Sequence, residues 1–114
     1  MPSSREFVDH TIDLFSAFGE VTARAMFGGW GLYHQGVMFA LIAEDVLYLK
    51  ADAANRGAFE AAGMEPFIYQ KGDGSTATMS YWEAPPPAME DPQEMVAWAQ
   101  AAYEAALRGR KKRR

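Results

Sequence analysis

Apolar residues fall at three- and four-residue spacing from Phe7 to Phe18: Phe7, Val8, Thr11, Ile12, Leu14, Phe15 and Phe18. That pattern predicts one amphipathic helix of about four turns. Ser3 and Glu6 have the spacing of a capping box at its start, and Gly19 suits its end. From Val21 to Lys50 the period changes to two. Four short strands are expected: Val21–Phe27, Gly31–His34, Val37–Ala43 and Val46–Lys50, with tight turns at Gln35-Gly36 and Glu44-Asp45. Alternation puts Leu47 and Leu49 on the core side, with Val46, Tyr48 and Lys50 opposite. In the preceding strand it separates Phe39 and Leu41 from Met38, Ala40 and Ile42. Both faces there are apolar, so that strand is expected to be central.

Asp52 is expected to cap a second helix over Ala53–Ala62, stopped by Gly63. Phe67–Gln70 and Thr76–Glu83 form a hairpin pattern around Lys71-Gly72-Asp73-Gly74-Ser75. Pro85-Pro86-Pro87 reads as a stiff extended connector. Asp91 and Pro92 then open a last helix, with an alanine-rich buried face from Met95 to Leu107, and Gly109 is its expected stop. The order α-β-β-β-β-α-β-β-α predicts an α+β fold. Its sheet has about five to six strands and is mostly antiparallel, with the helices packed on one side.

The densest motif is Met26-Phe27-Gly28-Gly29-Trp30-Gly31-Leu32-Tyr33. Gly28 and Gly29 permit a turn or bulge, and Gly31 permits close approach of another chain or ring. At 114 residues the chain suits a single domain over residues 1–107. Cysteine is absent, which removes disulfides, thiolate nucleophiles and Cys-based zinc sites and fits a reducing cytoplasm. The longest uncharged apolar run, Gly36 to Ala43, is too short to span a bilayer. The net charge of −4 conceals an asymmetry. Residues 108–114 carry six cations (Arg108, Arg110, Lys111, Lys112, Arg113 and Arg114), and the remainder holds five basic against fifteen acidic residues. The body repels polyanions, and a disordered basic tail is the one segment suited to weak, nonspecific nucleic-acid binding.

Candidate chemistry is sparse. His10 and His34 have no ligand-spaced partners, so no metal site is expected. Gly29-x-Gly31-x-x-His34 lacks the third glycine and the following helix of a dinucleotide loop, so no nucleotide cofactor is expected. Ser75, Thr76, Thr78 and Ser80 have no nearby histidine, and Glu44-Asp45 and Glu90-Asp91 suit a turn and a cap. No catalytic constellation results, and the remaining alternative of this kind is a small-ligand binder or enzyme with a pocket near Arg24 and the glycine motif. A more distinctive set is Arg24, Tyr48, Lys50, Tyr69, Lys71, Tyr81 and Trp82, all on or beside strands. On a sheet face left bare by the helices, Arg24, Tyr48, Lys50, Tyr69 and Tyr81 suit a binding surface for a base or a partner. The plainer alternative has the rings in the core with cations laid over them.

The run Arg24-Ala-Met-Phe-Gly-Gly-Trp-Gly-Leu-Tyr33 resembles the signature of the TfoX (Sxy) N-terminal domain family. Phe39-Ala-Leu-Ile42, Leu47-Tyr-Leu-Lys-Ala-Asp52, Phe59 with Gly63, Phe67 with Tyr69, and Tyr81 with Pro85 extend the resemblance over roughly residues 5–107. It implies a small bacterial cytoplasmic α+β domain with no established enzymatic activity. The family's best-known members regulate natural competence as coactivators beside a cyclic-AMP-responsive transcription factor. Those proteins carry a further C-terminal domain of helix-hairpin-helix character, where this sequence ends in RGRKKRR. The resemblance thus implies a regulatory or protein-interaction module, with a protein partner or a homodimer. Arg24, Met26, Phe27, Gly28, Gly29 and Gly31 enter as structural motif residues.

Overall fold

In a computed structural model, which describes residues 4–26, 28–70 and 72–112, the first helix, α1, spans Arg5–Leu14. Its N-cap is Ser4 rather than a residue of the expected Ser3 box: Ser4 Oγ accepts the Phe7 amide at 3.1 Å. The Ser4 amide in turn donates to Asp45 Oδ1 at 2.8 Å, tying the helix start to a distant turn. Helical backbone ends at Leu14, earlier than the apolar stripe suggested, and tight turns carry the chain from Phe15 to Gly19.

The strands β1 (Thr22–Met26), β2 (Gly29–His34), β3 (Val37–Ala43) and β4 (Val46–Lys50) form an antiparallel meander. Gln35-Gly36 and Glu44-Asp45 are its two later turns, each with both residues at positive φ. That backbone matches the twist of the flanking strands. After β4, Asp52 does not open a helix directly. Its carboxylate accepts the Ala54 amide in a local turn, and α2 (Arg56–Ala61) begins later, after Asn55. The strands β5 (Pro66–Gln70) and β6 (Thr76–Glu83) complete a six-stranded antiparallel sheet ordered β1-β2-β3-β4-β6-β5. The last strand in sequence is therefore inserted beside β4, and β5 becomes an edge.

Two expectations at the C-terminal end are corrected. The triple-proline segment is not an extended connector: Pro86–Glu90 forms a short helix, α3, preceded by extended Pro85. Prolines are tolerated there because first-turn amides have no partner within the helix and a proline ring already holds a helical φ. The last helix, α4 (Pro92–Lys112), starts as expected, with Asp91 Oδ1 accepting the Gln93 amide at 2.9 Å. It does not stop at Gly109 but runs on to Lys112, because one interior glycine weakens a helix by only about 1 kcal/mol.

The helices lie on one face of the sheet. Leu32, Ala40, Ile42, Leu47 and Leu49 meet Val8, Phe15, Ala88, Met95, Ala99 and Ala102 in a single core. Phe59 of α2 joins it, with its ring 6.2 Å from Trp82 and 5.0 Å from Trp98. Thr11 is buried there, its hydroxyl donating to the Phe7 carbonyl at 2.8 Å. Strand β3 is central, as its apolar faces suggested, but strict alternation fails within it. The β2–β3 register shifts between Leu32 and Tyr33, so Leu32 pairs with Ala40 and Tyr33 with Met38, and Phe39 is passed over. This bulge turns Phe39 to the helix side, where it packs on Phe15 at 5.2 Å and Phe18 at 5.4 Å. Leu41 and Met38 are left for the opposite face.

Candidate interaction surface

Strand alternation delivers a second, helix-free face. Pairing registers align Arg24, Gly31, Leu41, Tyr48 and Glu83 in one row across β1, β2, β3, β4 and β6. Thr22, Tyr33 and Met38 follow in the next row, and Lys50 pairs with Tyr81 beyond them. Of the five residues expected on one face, Arg24, Tyr48, Lys50 and Tyr81 are thus brought together; the Tyr69 side chain and Lys71 lie outside the described residues. Trp82, from the same original group, faces the core side instead.

The cations on this face lie over rings. The Arg24 guanidinium sits 5.5 Å from the centre of the Tyr33 ring, and Lys50 Nζ sits 5.0 Å from that of Tyr81. Lys50 Nζ also donates to Ser80 Oγ at 2.8 Å. Tyr48 meets Phe67 edge-on, with ring centres 4.9 Å apart. Burial pushes the Tyr81 hydroxyl up to about 12, with the nearby Tyr33 adding to the effect. Tyr48 is also raised, by burial first and then by the Glu83 and Glu44 carboxylates. The face is therefore a packed tyrosine-methionine-leucine surface studded with charge.

The glycines of the densest motif have separate jobs. Gly28 has φ +80° with open space around it, so it serves the β1–β2 turn. Gly29 lies so close to β3 that a Cβ would collide with the Ile42 carbonyl oxygen. Gly31 forms the floor of the outer face: a Cβ there would meet Met26 Sδ at 2.8 Å, Met38 Sδ at 3.2 Å and the Tyr33 ring at 3.2 Å. Phe27 lies outside the described residues.

The first cation of the basic segment is tied to the body. Arg108 Nε and Nη2 donate to Asp52 Oδ2 and Oδ1 at 2.7 and 2.9 Å. This two-pronged contact, chiefly the Arg108 hydrogen bond, lowers the Asp52 carboxyl to about 2. Arg108 is thereby engaged within the fold. Arg110, Lys111 and Lys112 belong to α4, and Arg113 and Arg114 lie outside the described residues. Of the histidines, His10 is exposed. His34 is wedged between Phe18 (4.7 Å) and Tyr103 (4.8 Å), with Nδ1 donating to the Glu20 carbonyl at 2.7 Å. Among the described residues no group of three His, Asp or Glu side chains could hold a metal ion.

Residues 13–106 match the TfoX N-terminal domain family. The chain belongs to this family. It is also 30% identical over 86 residues to "DNA transformation protein TfoX1" of Aliivibrio fischeri (strain ATCC 700601 / ES114). That alignment covers 75% of this chain and 41% of the relative, so the chain spans less than half of that protein's length.

Within this TfoX N-terminal domain, the run from Arg24 to Tyr33 both closes the β1–β2 hairpin and builds one end of the outer face. Tyr33, Met38, Leu41, Phe67 and Glu83 were not singled out in sequence as surface residues. Pairing across the Glu44-Asp45 turn could have placed Leu41 beside Tyr48, whereas Glu83 needed the strand order. Met38 could not be placed without knowing of the bulge at Phe39.

Proposed function

We propose that this domain is a non-enzymatic protein-interaction module acting in the regulation of DNA transformation. The observation that carries this reading is the helix-free sheet face, where half-buried Tyr33, Met38 and Tyr48 pack around buried Leu41 and Tyr81, with Arg24 and Lys50 laid over rings. Sheet faces that no helix covers are normally polar; one built of tyrosine, methionine and leucine suits a partner. The relative that gives the functional setting is named for DNA transformation. The motif glycines have sufficient structural roles in the turn, the strand contact and the floor of this face, and none presents a reacting group. Among the described residues no helix is long and apolar enough to cross a membrane; a cytoplasmic setting is part of the proposal and is supported by the cysteine-free sequence.

The reading is tested in a naturally transformable host carrying the gene. Tyr33→Ala and Tyr48→Ala remove ring surface from the outer face without touching the core. Both proteins are expected to accumulate and melt cooperatively, while transformation frequency falls at least about tenfold, the loss expected when a buried aromatic contact is truncated. Wild-type frequency in both variants would refute the use of this face.

A further inference from the structure

The row that crosses the outer face has complementary ends. Reading from β1 to β6 it runs Arg24, Gly31, Leu41, Tyr48, Glu83. A cation stands at one end, a carboxylate at the other, and apolar groups fill the middle. Leu41 is at the centre and is only 8% exposed. Among the described residues neither Arg24 nor Glu83 has an ion-pair partner. The two charges are about 19 Å apart, four strand spacings of about 4.8 Å, so they do not satisfy one another within the chain.

We infer that the outer face pairs with the same face of a second copy of this chain, about a twofold axis running along β3, so that each Arg24 lies over the Glu83 of the other copy. This rests on the reading that the face is an interaction surface and names its partner. A rotation about an axis parallel to the strands reverses the order of strands and keeps the rows in line. Leu41 then meets Leu41. Tyr48 lies over Gly31, whose floor carries the Met26 and Met38 sulfurs, and sulfur against an aromatic ring is a favourable contact. In the adjoining row Met38 meets Met38, and Tyr33 lies toward Lys50 of the other copy. Two packed sheets are separated by about 10 Å, a gap that an arginine from one side and a glutamate from the other together span. Every contact is made twice, as a twofold interface requires.

The sheet edges are poorer routes to the same end. Pairing β1 with itself in the register that engages all five of its residues sets Arg24 against Arg24, and like charges directly opposite are destabilising. The edge strand β5 begins with Pro66, which offers no amide to a neighbour.

The test is a charge exchange followed by analytical ultracentrifugation of the full chain, from about 1 μM to about 1 mM, a range covering weak to moderate affinities. Wild type is expected to dimerise within it. Arg24→Glu and Glu83→Arg each set like charges together at two symmetric positions, and each is expected to weaken association about 100-fold. The double variant is expected to return to within about threefold of wild type, as is an equimolar mixture of the two single variants, which restores opposite charges at both positions. Misfolding cannot produce that recovery. A wild-type chain that stays monomeric throughout, single variants that dimerise like wild type, or a mixture that does not recover would each overturn the dimer. The outcomes also separate it from the functional reading. If dimerisation fails this test while Tyr33→Ala still abolishes transformation, the face serves another partner. If the charge exchange behaves as expected while both tyrosine variants transform normally, the dimer stands and its proposed role falls.

Discussion

Gly29→Ala is the substitution that most sharply tests why this hairpin is rich in glycine. The added methyl would sit well inside the 3.0 Å that real Cβ contacts keep, and what it meets is the backbone carbonyl oxygen of Ile42. Backbone cannot rotate away as a side chain can. Relief requires β2 and β3 to part at the Trp30–Ile42 pair, where Ile42 is 1% exposed in the core. Overpacking of this kind costs about 1–3 kcal/mol, and a weakened ladder hydrogen bond adds about 1 kcal/mol. A total near 3 kcal/mol corresponds to a fall in Tm of about 10–15 °C for a domain of this size. Two neighbours serve as controls. Gly28→Ala meets no atom but must hold φ +80°, which costs about 1 kcal/mol. Gly31→Ala meets two methionine sulfurs and a tyrosine ring edge, of which the flexible thioethers can give way. Urea unfolding followed by tryptophan fluorescence should therefore rank Gly29→Ala as clearly the least stable of the three. If Gly29→Ala unfolds at the same urea concentration as Gly28→Ala, the close approach of β2 to β3 is not what the glycine serves.

Two further predictions concern titration. The Asp52 carboxyl is lowered to about 2 by Arg108, against about 3.9 in an unfolded chain, so its contribution is complete above about pH 5 and is lost as pH falls through about 2. Asp52→Asn should lower Tm at neutral pH, and its gap from wild type should close by about pH 2; a gap that persists in acid would show that the pair contributes little. Tyr81 is raised to about 12 against about 10 unfolded, so the fold favours its neutral phenol, and that contribution is complete below about pH 10 and lost as pH climbs through about 12. Ultraviolet titration should show a late-ionising tyrosine that Tyr81→Phe removes, together with a shift of alkaline unfolding to higher pH. Wild-type ionisation that is complete by about pH 11 would contradict the burial of that hydroxyl.

What the sequence disclosed follows the range of the forces involved. The meander from β1 to β4 was readable because period-two patterning and turn residues act between neighbours. Gln35-Gly36 and Glu44-Asp45 mark their turns by backbone chemistry alone. The helix at Pro86–Glu90 escaped notice because three successive prolines resemble an extended rod, although first-turn positions need no amide. The bulge at Phe39 was illegible because alternation assumes an unbroken ladder. The Asp52–Arg108 contact joins residues 56 apart, and no local pattern announces it. For the candidate surface, Tyr48 and Lys50 could be assigned to the outer side from strand β4 alone. Their neighbours on β1, β2 and β6 depend on strand order, which pattern does not encode, and so Glu83 gave no sign of sharing a row with Arg24.

That strand order also shapes how the chain reaches its fold. The first four strands close by short hairpins, so they can assemble from local contacts within microseconds to milliseconds. Strand β4 then has one side paired to β3 and the other open until β6, which arrives more than twenty-five residues later, inserts beside it. During that interval Val46-Leu47-Tyr48-Leu49 presents an apolar, unpaired ladder, the kind of template that captures other chains. The time taken for β6 to arrive thus sets the window in which nascent copies can aggregate, and the finished sheet hides the strand that was most exposed on the way.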